Sequence, residues 1–351
     1  MKSLKLIVFI IFTSFLLLIS FEGLCSMYLV FRGVAGHVDR DMEGYYTKYD
    51  ELLGWISKSN FTKKNLFGKG RDLKTNSQSF RNDKDFSTSV PEGKIRIICS
   101  GDSFTFGYGV DNKHTWCEKL ASFDKQFETV NLGQSGYGVD QSYLWYMRDG
   151  RNLEHNIHLF AFITDDFYRI KSNEMRGFKK PVLRIVNGKV TTIKSFQIPR
   201  DTYFFPVFFQ HMRQSNQFKF YEIFKRIIRK ISPEGKGEIN DNETREIALK
   251  IFETLQQINK EKDSTLVLVY LPTYAEFIQS EPMEWRKWLK TNANKKGIFY
   301  IDLYDEFLKL PFTKVTTLFN FGDEHYSEEG NRFVAEEIYK KLISYGIIKK
   351  K

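Results

Sequence analysis

Five short apolar runs, separated by segments of helix length, constrain the fold of this chain more than any other feature of its sequence. They span residues 95–99, 127–131, 158–164, 264–271 and 298–303. Runs that are apolar throughout are typical of strands in parallel sheets covered by helices on both faces. Helical patterns lie at residues 115–122, 243–261, 282–293 and 328–344. The sequence therefore predicts an α/β fold around a five-stranded parallel sheet.

The composition supports a large packed core. Of 351 residues, 42% are hydrophobic and 33 are Phe, which excludes a disordered or fibrous chain. Three cysteines, Cys25, Cys99 and Cys117, are too few for a disulfide scaffold and lack the spacing of a structural zinc site. Cys99 and Cys117 fall on a predicted strand and a predicted helix. Buried free thiols are expected there, and a bond between the two stays open.

The N-terminus has the pattern of an export signal. Lys2 and Lys5 precede an uncharged apolar run of 16 residues, 6–21, which Glu22 ends. This run is short for a membrane span, but apolar residues resume at 27–31. We predict a signal anchor or signal peptide over residues 1–31. A retained anchor is favoured, with the lysines cytoplasmic and the remaining chain extracytoplasmic, either periplasmic or at the cell surface. A signal peptide cleaved near Cys25, leaving a secreted protein, is the alternative.

Two regions interrupt the alternation of strands and helices. Residues 46–91 are polar and rich in turns, and they predict an irregular cap. An insertion at about 170–240 contains Asn187-Gly188 between β-branched residues, which is a strong signal for a tight hairpin. Residues 218–231, in the same insertion, predict a basic amphipathic helix.

The positive charge of the chain is concentrated in this insertion. Residues 168–232 hold 15 Lys and Arg against 3 Asp and Glu, while the whole chain has a net charge of +10. An amphipathic helix with a solvated charged face accounts for the pattern. Contact with a membrane surface or an acidic polymer is the alternative, and no nucleic-acid partner is expected because no reading motif is present.

A serine and a histidine stand where an α/β fold places catalytic groups. Gly101-Asp102-Ser103 follows the first predicted strand of the sheet, so Ser103 lies at the carboxyl edge and close to a helix N-terminus. His325 lies in a loop just before the last helix, and Asp323 precedes it by two residues and could orient the imidazole. Each piece alone is also a common turn or capping pattern, and the nucleophile elbow G-x-S-x-G is absent.

Four blocks, taken in order, resemble the SGNH hydrolases, also called the GDSL esterase/lipase family. They are Gly-Asp-Ser-Phe-Thr at 101–105, Asn-Leu-Gly-Gln-Ser-Gly-Tyr-Gly at 131–138, Asp-Asp-Phe at 165–167 and Asp-Glu-His at 323–325. The resemblance runs from about Leu53 to Ser344, and the SGNH hydrolase-like domain is expected over 45–347. It implies a flavodoxin-like three-layer α/β/α sandwich with a five-stranded parallel sheet, interrupted by the inserted hairpin and basic helix.

The resemblance also implies roles for single residues. Ser103 corresponds to the nucleophile, His325 to the general base, and Asp323 to the acid that orients the base. The backbone amides of Ser103 and Gly136 correspond to two donors of the oxyanion hole. The third donor in the family is the Asn of a Gly-x-Asn-Asp block, and this chain has Asp165 in its place. No metal or other cofactor is required.

Asp165 is the departure that matters most for the chemistry. An ionised carboxylate has no proton to donate and repels developing negative charge. Loss of one oxyanion donor costs roughly 100- to 1000-fold in rate. Either burial keeps Asp165 protonated, or Asp166 pairs with Arg169 as a structural brace and this block aligns differently from the family pattern.

Through the resemblance, the chain is expected to be a serine esterase or acyl transferase acting on acyl esters, such as O-acetyl groups, of an extracytoplasmic glycan. The Asp-x-His spacing resembles that of glycan-modifying relatives. The expected partners are an acylated glycan or another ester substrate and, through the N-terminal helix, the membrane. The alternative is a catalytically silent SGNH-like protein that binds a glycan or acts as a scaffold at the membrane.

Overall fold

Helices and strands alternate along most of the chain, as the apolar runs predict. The computed structural model describes residues 2–175, 178–193, 242–278, 284–322 and 324–349, without the side chains of 2–4, 29–44, 174, 178 and 193. In chain order the helices are α1 (Lys2–Tyr46), α2 (Ser103–Phe106), α3 (Trp116–Ala121), α4 (Val139–Arg148), α5 (Thr164–Arg169), α6 (Asn242–Glu261), α7 (Ala275–Ile278), α8 (Glu284–Lys296), α9 (Tyr304–Phe307), α10 (Phe312–Thr317) and α11 (Glu328–Ser344). The strands are β1 (Thr47–Asp50), β2 (Gly54–Ser57), β3 (Thr62–Lys63), β4 (Leu73–Lys74), β5 (Ile95–Gly101), β6 (Phe127–Gly133), β7 (Ile157–Phe162), β8 (Glu174–Met175), β9 (Phe178–Lys179), β10 (Val182–Val186), β11 (Lys189–Ile193), β12 (Thr265–Tyr270) and β13 (Phe299–Asp302).

The five apolar runs form one sheet. Its spatial order is β13-β12-β7-β5-β6, and every neighbouring pair is parallel. Numbered along the chain, the five strands lie in the order 2-1-3-4-5, which is that of flavodoxin-like folds. The observed strands differ from the predicted ones by at most two residues at either end, so the predicted sheet is confirmed.

Helices cover both faces of this sheet. On one face the strands share a buried apolar cluster with α3 and α11, and its members include Cys99, Leu120, Leu159, Val269 and Ile338. On the other face Phe160 and Phe162 contact Phe252 of α6. The predicted three-layer sandwich is confirmed, and because each strand is buried on both faces its sequence is apolar throughout.

The direction of winding of the sheet reverses between β5 and β7. The strand that follows β5 lies on one side of this pair, and the strand that follows β7 lies on the other. In open α/β sheets, ligands bind at the point where the direction of winding reverses in this way. Two helices, α2 after β5 and α5 after β7, begin at the carboxyl edge at this point.

The cap at residues 46–91 is more regular than predicted. β1 pairs with β2 and β3 with β4, each pair antiparallel. These strands have only two to four residues, and apolar and polar residues do not alternate regularly along them. No apolar pattern in the sequence therefore predicted them. Several side chains of the cap, among them Trp55, Leu73 and Arg81, are buried. The cap is therefore part of the packed unit rather than a loose covering.

Part of the insertion follows the prediction. β10 and β11 pair around Asn187-Gly188, which confirms the hairpin. Just before it, Lys180 is fully buried, and its ammonium group contacts the buried carboxylate of Asp140. The predicted basic helix at 218–231 lies outside the described residues and stays a prediction.

The predicted export signal lies on α1. Its segment Lys5–Tyr28, 24 residues with a mean hydropathy of 2.4, is long and apolar enough to cross a membrane. A cleaved signal sequence has the same length and character, so both alternatives stay open. The chain divides into two compact units, and residues 1–45 do not belong to the one that holds the sheet.

Candidate active site

Ser103 lies in a tight turn between β5 and α2. It is the first residue of α2, and its side chain is almost fully buried. Asp102 precedes it as the N-cap, and its Oδ1 accepts a hydrogen bond of 2.9 Å from the backbone N–H of Phe104. A capping Asp holds a helix start in one conformation. The predicted serine is thus held at the carboxyl edge of the sheet, as expected.

His325 lies beside Ser103 in the structure but far from it in the sequence. Its Nε2 lies 2.8 Å from Ser103 Oγ, although 222 residues separate the two in sequence. The imidazole lies beside the rings of Phe104 and Tyr108, with centroids 4.8 and 4.9 Å away. The structure therefore brings together the two groups that the sequence proposed as base and nucleophile.

The loop that carries His325 is fixed by its backbone. The N–H of Asn320 donates to the carbonyl of His325 at 2.7 Å, and Glu324 has a left-handed φ of 56°. The next residue, Tyr326, is buried and donates its hydroxyl to the carbonyl of Pro272 at 2.7 Å. Asp323, the predicted orienting acid, lies outside the described residues, and its role stays a prediction.

The end of β6 and the turn that follows it pack directly on α2, the helix that begins at Ser103. A Cβ on Gly133 would lie 2.1 Å from the backbone nitrogen of Phe106, so only glycine fits there. Gly136, the predicted oxyanion donor, has a φ of +79° in the same turn. Trp55 of the cap donates its ring N–H to the carbonyl of Ser135 at 3.0 Å. The cap thereby holds the turn that carries Gly136.

Three charged side chains form a buried charge cluster behind Ser103: Asp102, Asp166 and Arg169. Arg169 Nη1 lies 2.7 Å from Asp166 Oδ1 and 3.6 Å from Asp102 Oδ2. Asp102 Oδ2 in turn lies 3.4 Å from Ser103 Oγ. The predicted brace between Asp166 and Arg169 is therefore confirmed, and it extends to the residue next to the nucleophile.

The carboxylates of the buried charge cluster are unusual in their protonation. Burial raises the pKa of Asp102, although the charges of Arg169 and His325 oppose the rise. Burial and the nearby charge of Asp102 raise the pKa of Asp166 well above its usual range. Burial by itself would lower the pKa of Arg169, but Asp166 and Asp102 raise it above its ordinary value. Arg169 is therefore the permanent cation of the cluster.

Asp165 is the second residue of α5 and is half-buried. The next residue, Asp166, is fully buried. The Oδ2 of Asp166 accepts from the backbone N–H of Ile163 at 3.1 Å, so it faces the start of its own helix. The proposed role of Asp165 as an oxyanion donor stays untested.

Sequence reasoning missed Arg81, which binds the C-terminal end of α2. Its guanidinium is buried and donates to the carbonyls of Phe106 and Gly107, each at 2.6 Å, and also to that of Val110. Burial lowers the pKa of Arg81 to about 9. A single Arg in a polar, turn-rich segment gives no local signal of burial, because its partners lie 25 or more residues away.

The other histidines with described side chains serve the fold. His114 ends a 3₁₀ turn before α3 and contacts the carboxylate of Asp111. His155 and His158 are buried on the face of the sheet that α4 and α6 cover. Over the described ranges, no three His, Cys, Asp or Glu side chains come together as a metal site would require.

Comparisons with known proteins found similarity to solved structures. No family model and no curated protein matches this sequence. Solved structures that match include a member of the lipolytic protein G-D-S-L family from Veillonella parvula, 14% identical, covering 70% of this chain and 97% of that chain with a TM-score of 0.41. An acetyl xylan esterase is 14% identical, covering 71% and 100% with a TM-score of 0.43. A lipase/acylhydrolase from Enterococcus faecalis is 12% identical, covering 72% and 96% with a TM-score of 0.36. At these identities the role of each residue rests on the geometry of this chain alone.

Proposed function

We propose that this chain is an SGNH-type serine hydrolase that cleaves or transfers the acyl group of an ester. The observation that carries the proposal is the distance of 2.8 Å between His325 Nε2 and Ser103 Oγ. A serine hydroxyl is a weak nucleophile unless a neighbouring base accepts its proton, and this distance allows that transfer. The pair lies at the carboxyl edge of the sheet, near the point between β5 and β7 where α/β folds bind their ligands.

The reaction follows from the two groups. His325 accepts the hydroxyl proton of Ser103 as Oγ attacks the ester carbonyl, and the proton then passes to the departing alcohol. The acyl group is left on Ser103. Water or a second alcohol, deprotonated by His325, attacks this acyl-enzyme and releases Ser103 with its proton restored. Asp323 is proposed to orient the imidazole and to stabilise its charged form.

Negative charge develops on the carbonyl oxygen during both attacks. We assign its stabilisation to the backbone amides of Ser103 and Gly136, with Asp165 in the position of a third donor. Two adjacent turns carry these amides, and the contact between Gly133 and Phe106 holds the turns against each other. A preorganised pair of donors stabilises the charge without having to reorganise during the reaction.

The finer proposal concerns substrate and place. We propose acyl esters of an extracytoplasmic glycan, with acetyl as the acyl group, and a domain anchored by α1. Its support is the Asp-x-His spacing at 323–325 and the apolar segment Lys5–Tyr28. Both features are compatible with a domain that faces the substrate outside the cytoplasm.

Covalent labelling tests the catalytic part of the proposal. The full-length protein, purified in detergent, is incubated with a fluorophosphonate, and its intact mass is measured. A serine activated by His325 forms one adduct, which is expected to map to Ser103 and to be absent from Ser103→Ala. Ser122→Ala is the matched control, because Ser122 is exposed at the end of α3 and should leave labelling unchanged.

Turnover separates the enzyme from its silent alternative. Release of acetate from p-nitrophenyl acetate and from an O-acetylated oligosaccharide should be lost in Ser103→Ala. A folded protein that forms no adduct and releases no acetate, but binds the oligosaccharide equally well before and after Ser103→Ala, would instead be the silent binding protein that Asp165 suggests.

A further inference from the structure

Three carboxyl groups lie close to the place where the proposed reaction would form an oxyanion. Asp102 and Asp166 are buried directly behind Ser103, and Asp165 stands where the family has a neutral donor. Each ionised carboxylate disfavours further negative charge nearby. We propose that Arg169 is the positioning residue of this site, because it ties together the three segments that carry Ser103, Gly136 and Asp165 and offsets their carboxylates. The inference rests on the proposed function.

One guanidinium nitrogen of Arg169 contacts a residue in each of the three segments that follow β5, β6 and β7. Arg169 Nη1 donates to the carbonyl of Tyr137 at 2.7 Å and to Asp166 Oδ1 at 2.7 Å, and it lies 3.6 Å from Asp102 Oδ2. Tyr137 follows Gly136 in the turn after β6. Asp102 caps the helix of Ser103, and Asp166 lies on α5, the helix after β7 that also carries Arg169. Arg169 therefore acts on the reacting groups through their neighbours.

Arg169 is itself fixed in position. Its backbone carbonyl accepts a hydrogen bond of 2.8 Å from the ammonium group of Lys180, which is fully buried against Asp140. Its side chain retains only 15% exposure. A group held by packing and by buried partners positions its neighbours more precisely than a mobile surface group does.

The positive charge of Arg169 is its other contribution to the site. Asp165 and Arg169 are four residues apart on α5 and so lie on the same side of that helix. A cation on this side partly offsets the carboxylate that replaces the neutral donor. Charge near a buried reaction centre acts strongly because little water screens it. The position of Arg169 thus explains how the site can tolerate Asp165.

Substitution of Arg169 in the full-length protein tests the inference. For Arg169→Lys, which keeps the charge but not the planar fork, we expect kcat for p-nitrophenyl acetate to fall roughly 10- to 100-fold, since small misplacements of reacting groups cost this much. For Arg169→Gln we expect a fall of roughly 100- to 1000-fold, comparable with the loss of an oxyanion donor. KM should change less than about threefold in both, because the proposed role acts through the segments that carry the reacting groups and not through binding of the substrate.

Arg96→Lys is the matched control. Arg96 is fully buried and, like Arg169, combines an ion pair, to Glu128, with hydrogen bonds to backbone carbonyls such as that of Glu154. It lies near the amino end of β5, at the opposite edge of the sheet from Ser103. We expect Arg96→Lys to lower stability but to leave kcat of the folded protein within about twofold of the wild-type value. Equal kcat in folded Arg169→Lys and Arg96→Lys would overturn the positioning role.

Asp166→Asn keeps the inference testable if the Arg169 variants do not fold. It keeps the shape of the side chain and removes the charge that orients Arg169. The rate constant of fluorophosphonate labelling at Ser103 should fall roughly threefold or more, and an unchanged rate constant would overturn the role. Failure of the proposed function looks different, because wild-type protein would then form no adduct at Ser103 at all.

Discussion

At the scale of single residues, two buried charged side chains bind the two ends of α2, the helix that begins at Ser103. Asp102 caps its N-terminus and lies beside Ser103 Oγ, while Arg81 binds the carbonyls that leave its C-terminus. A helix of four residues has too few internal hydrogen bonds to be stable alone. These two side chains therefore supply the stability that allows Ser103 to be presented in one fixed position.

The role of Arg81 can be tested by Arg81→Met. The substitution leaves the buried carbonyls of Phe106, Gly107 and Val110 without their donor, and each such loss is costly. We expect the free energy of unfolding to fall by about 2–4 kcal/mol, measured by urea titration. Arg71→Met, in the same cap but with a partly exposed side chain 3.9 Å from Glu328, should change it by less than about 0.5 kcal/mol. Equal effects of the two substitutions would contradict the role given to Arg81.

At the scale of elements, a polar cluster joins β7 to the helices that cover it. His158 Nε2 lies 2.9 Å from Ser100 Oγ, and its ring stacks on Tyr146 of α4 at 3.9 Å. Asn259 of α6 lies 3.1 Å from His155 Nε2 and 3.3 Å from His158 Nδ1. The sheet and two helices of the same layer therefore meet through neutral, hydrogen-bonded imidazoles.

This cluster predicts a loss of stability in mild acid. Burial lowers the pKa of His155, and burial together with His155 lowers that of His158 well below 6.5. Below pH 6.5 the unfolded chain therefore binds protons that the folded chain does not bind. As the pH is lowered below 6.5, the free energy of unfolding should decrease by up to about 1.4 kcal/mol per pH unit for each histidine.

Urea titrations at pH 7.5, 6.5 and 5.5 measure this dependence. His158→Gln removes one of the two histidines and leaves His155, so its stability should depend less steeply on pH than that of the wild type. The prediction is wrong if the wild type and His158→Gln lose stability equally between pH 6.5 and 5.5.

At the scale of the whole molecule, the order of strands decides where the site lies. The turns after β5, β6 and β7 meet at one edge because these strands are neighbours in the sheet. His325 then comes from the loop before α11, which packs on α3 and shares the core of the same sheet face. The proposed catalytic groups Ser103 and His325 therefore meet only when the domain folds as a whole.

The placement of the chain is also tested at this scale. If α1 is a retained anchor, the full-length protein should stay in the membrane after carbonate extraction. Its N-terminal peptide, containing Lys2 and Lys5, should be recovered by mass spectrometry. A mature protein that begins near residue 26 and is found in the soluble fraction would show that the signal is cleaved.

Much of this protein follows from the sequence by itself. The apolar runs determined the five strands, because a strand buried on both faces must be apolar along its whole length. The Gly101-Asp102-Ser103 turn and His325 could be found because each lies at a defined distance from a predicted strand or helix. The pairing of Asp166 with Arg169 was also within reach, because three residues along a helix bring side chains together.

Other features were decided only by the tertiary structure. Arg81 and Arg169 gain their roles from partners that are 25 to 67 residues away, among them Phe106 for Arg81 and Tyr137 and Asp102 for Arg169. The same holds for Trp55, whose partner Ser135 is 80 residues distant. A charged side chain looks alike in the sequence whether it is solvated or buried. Only the packing of distant turns removes water from it and leaves it one set of partners, which is why the sequence could not assign these residues.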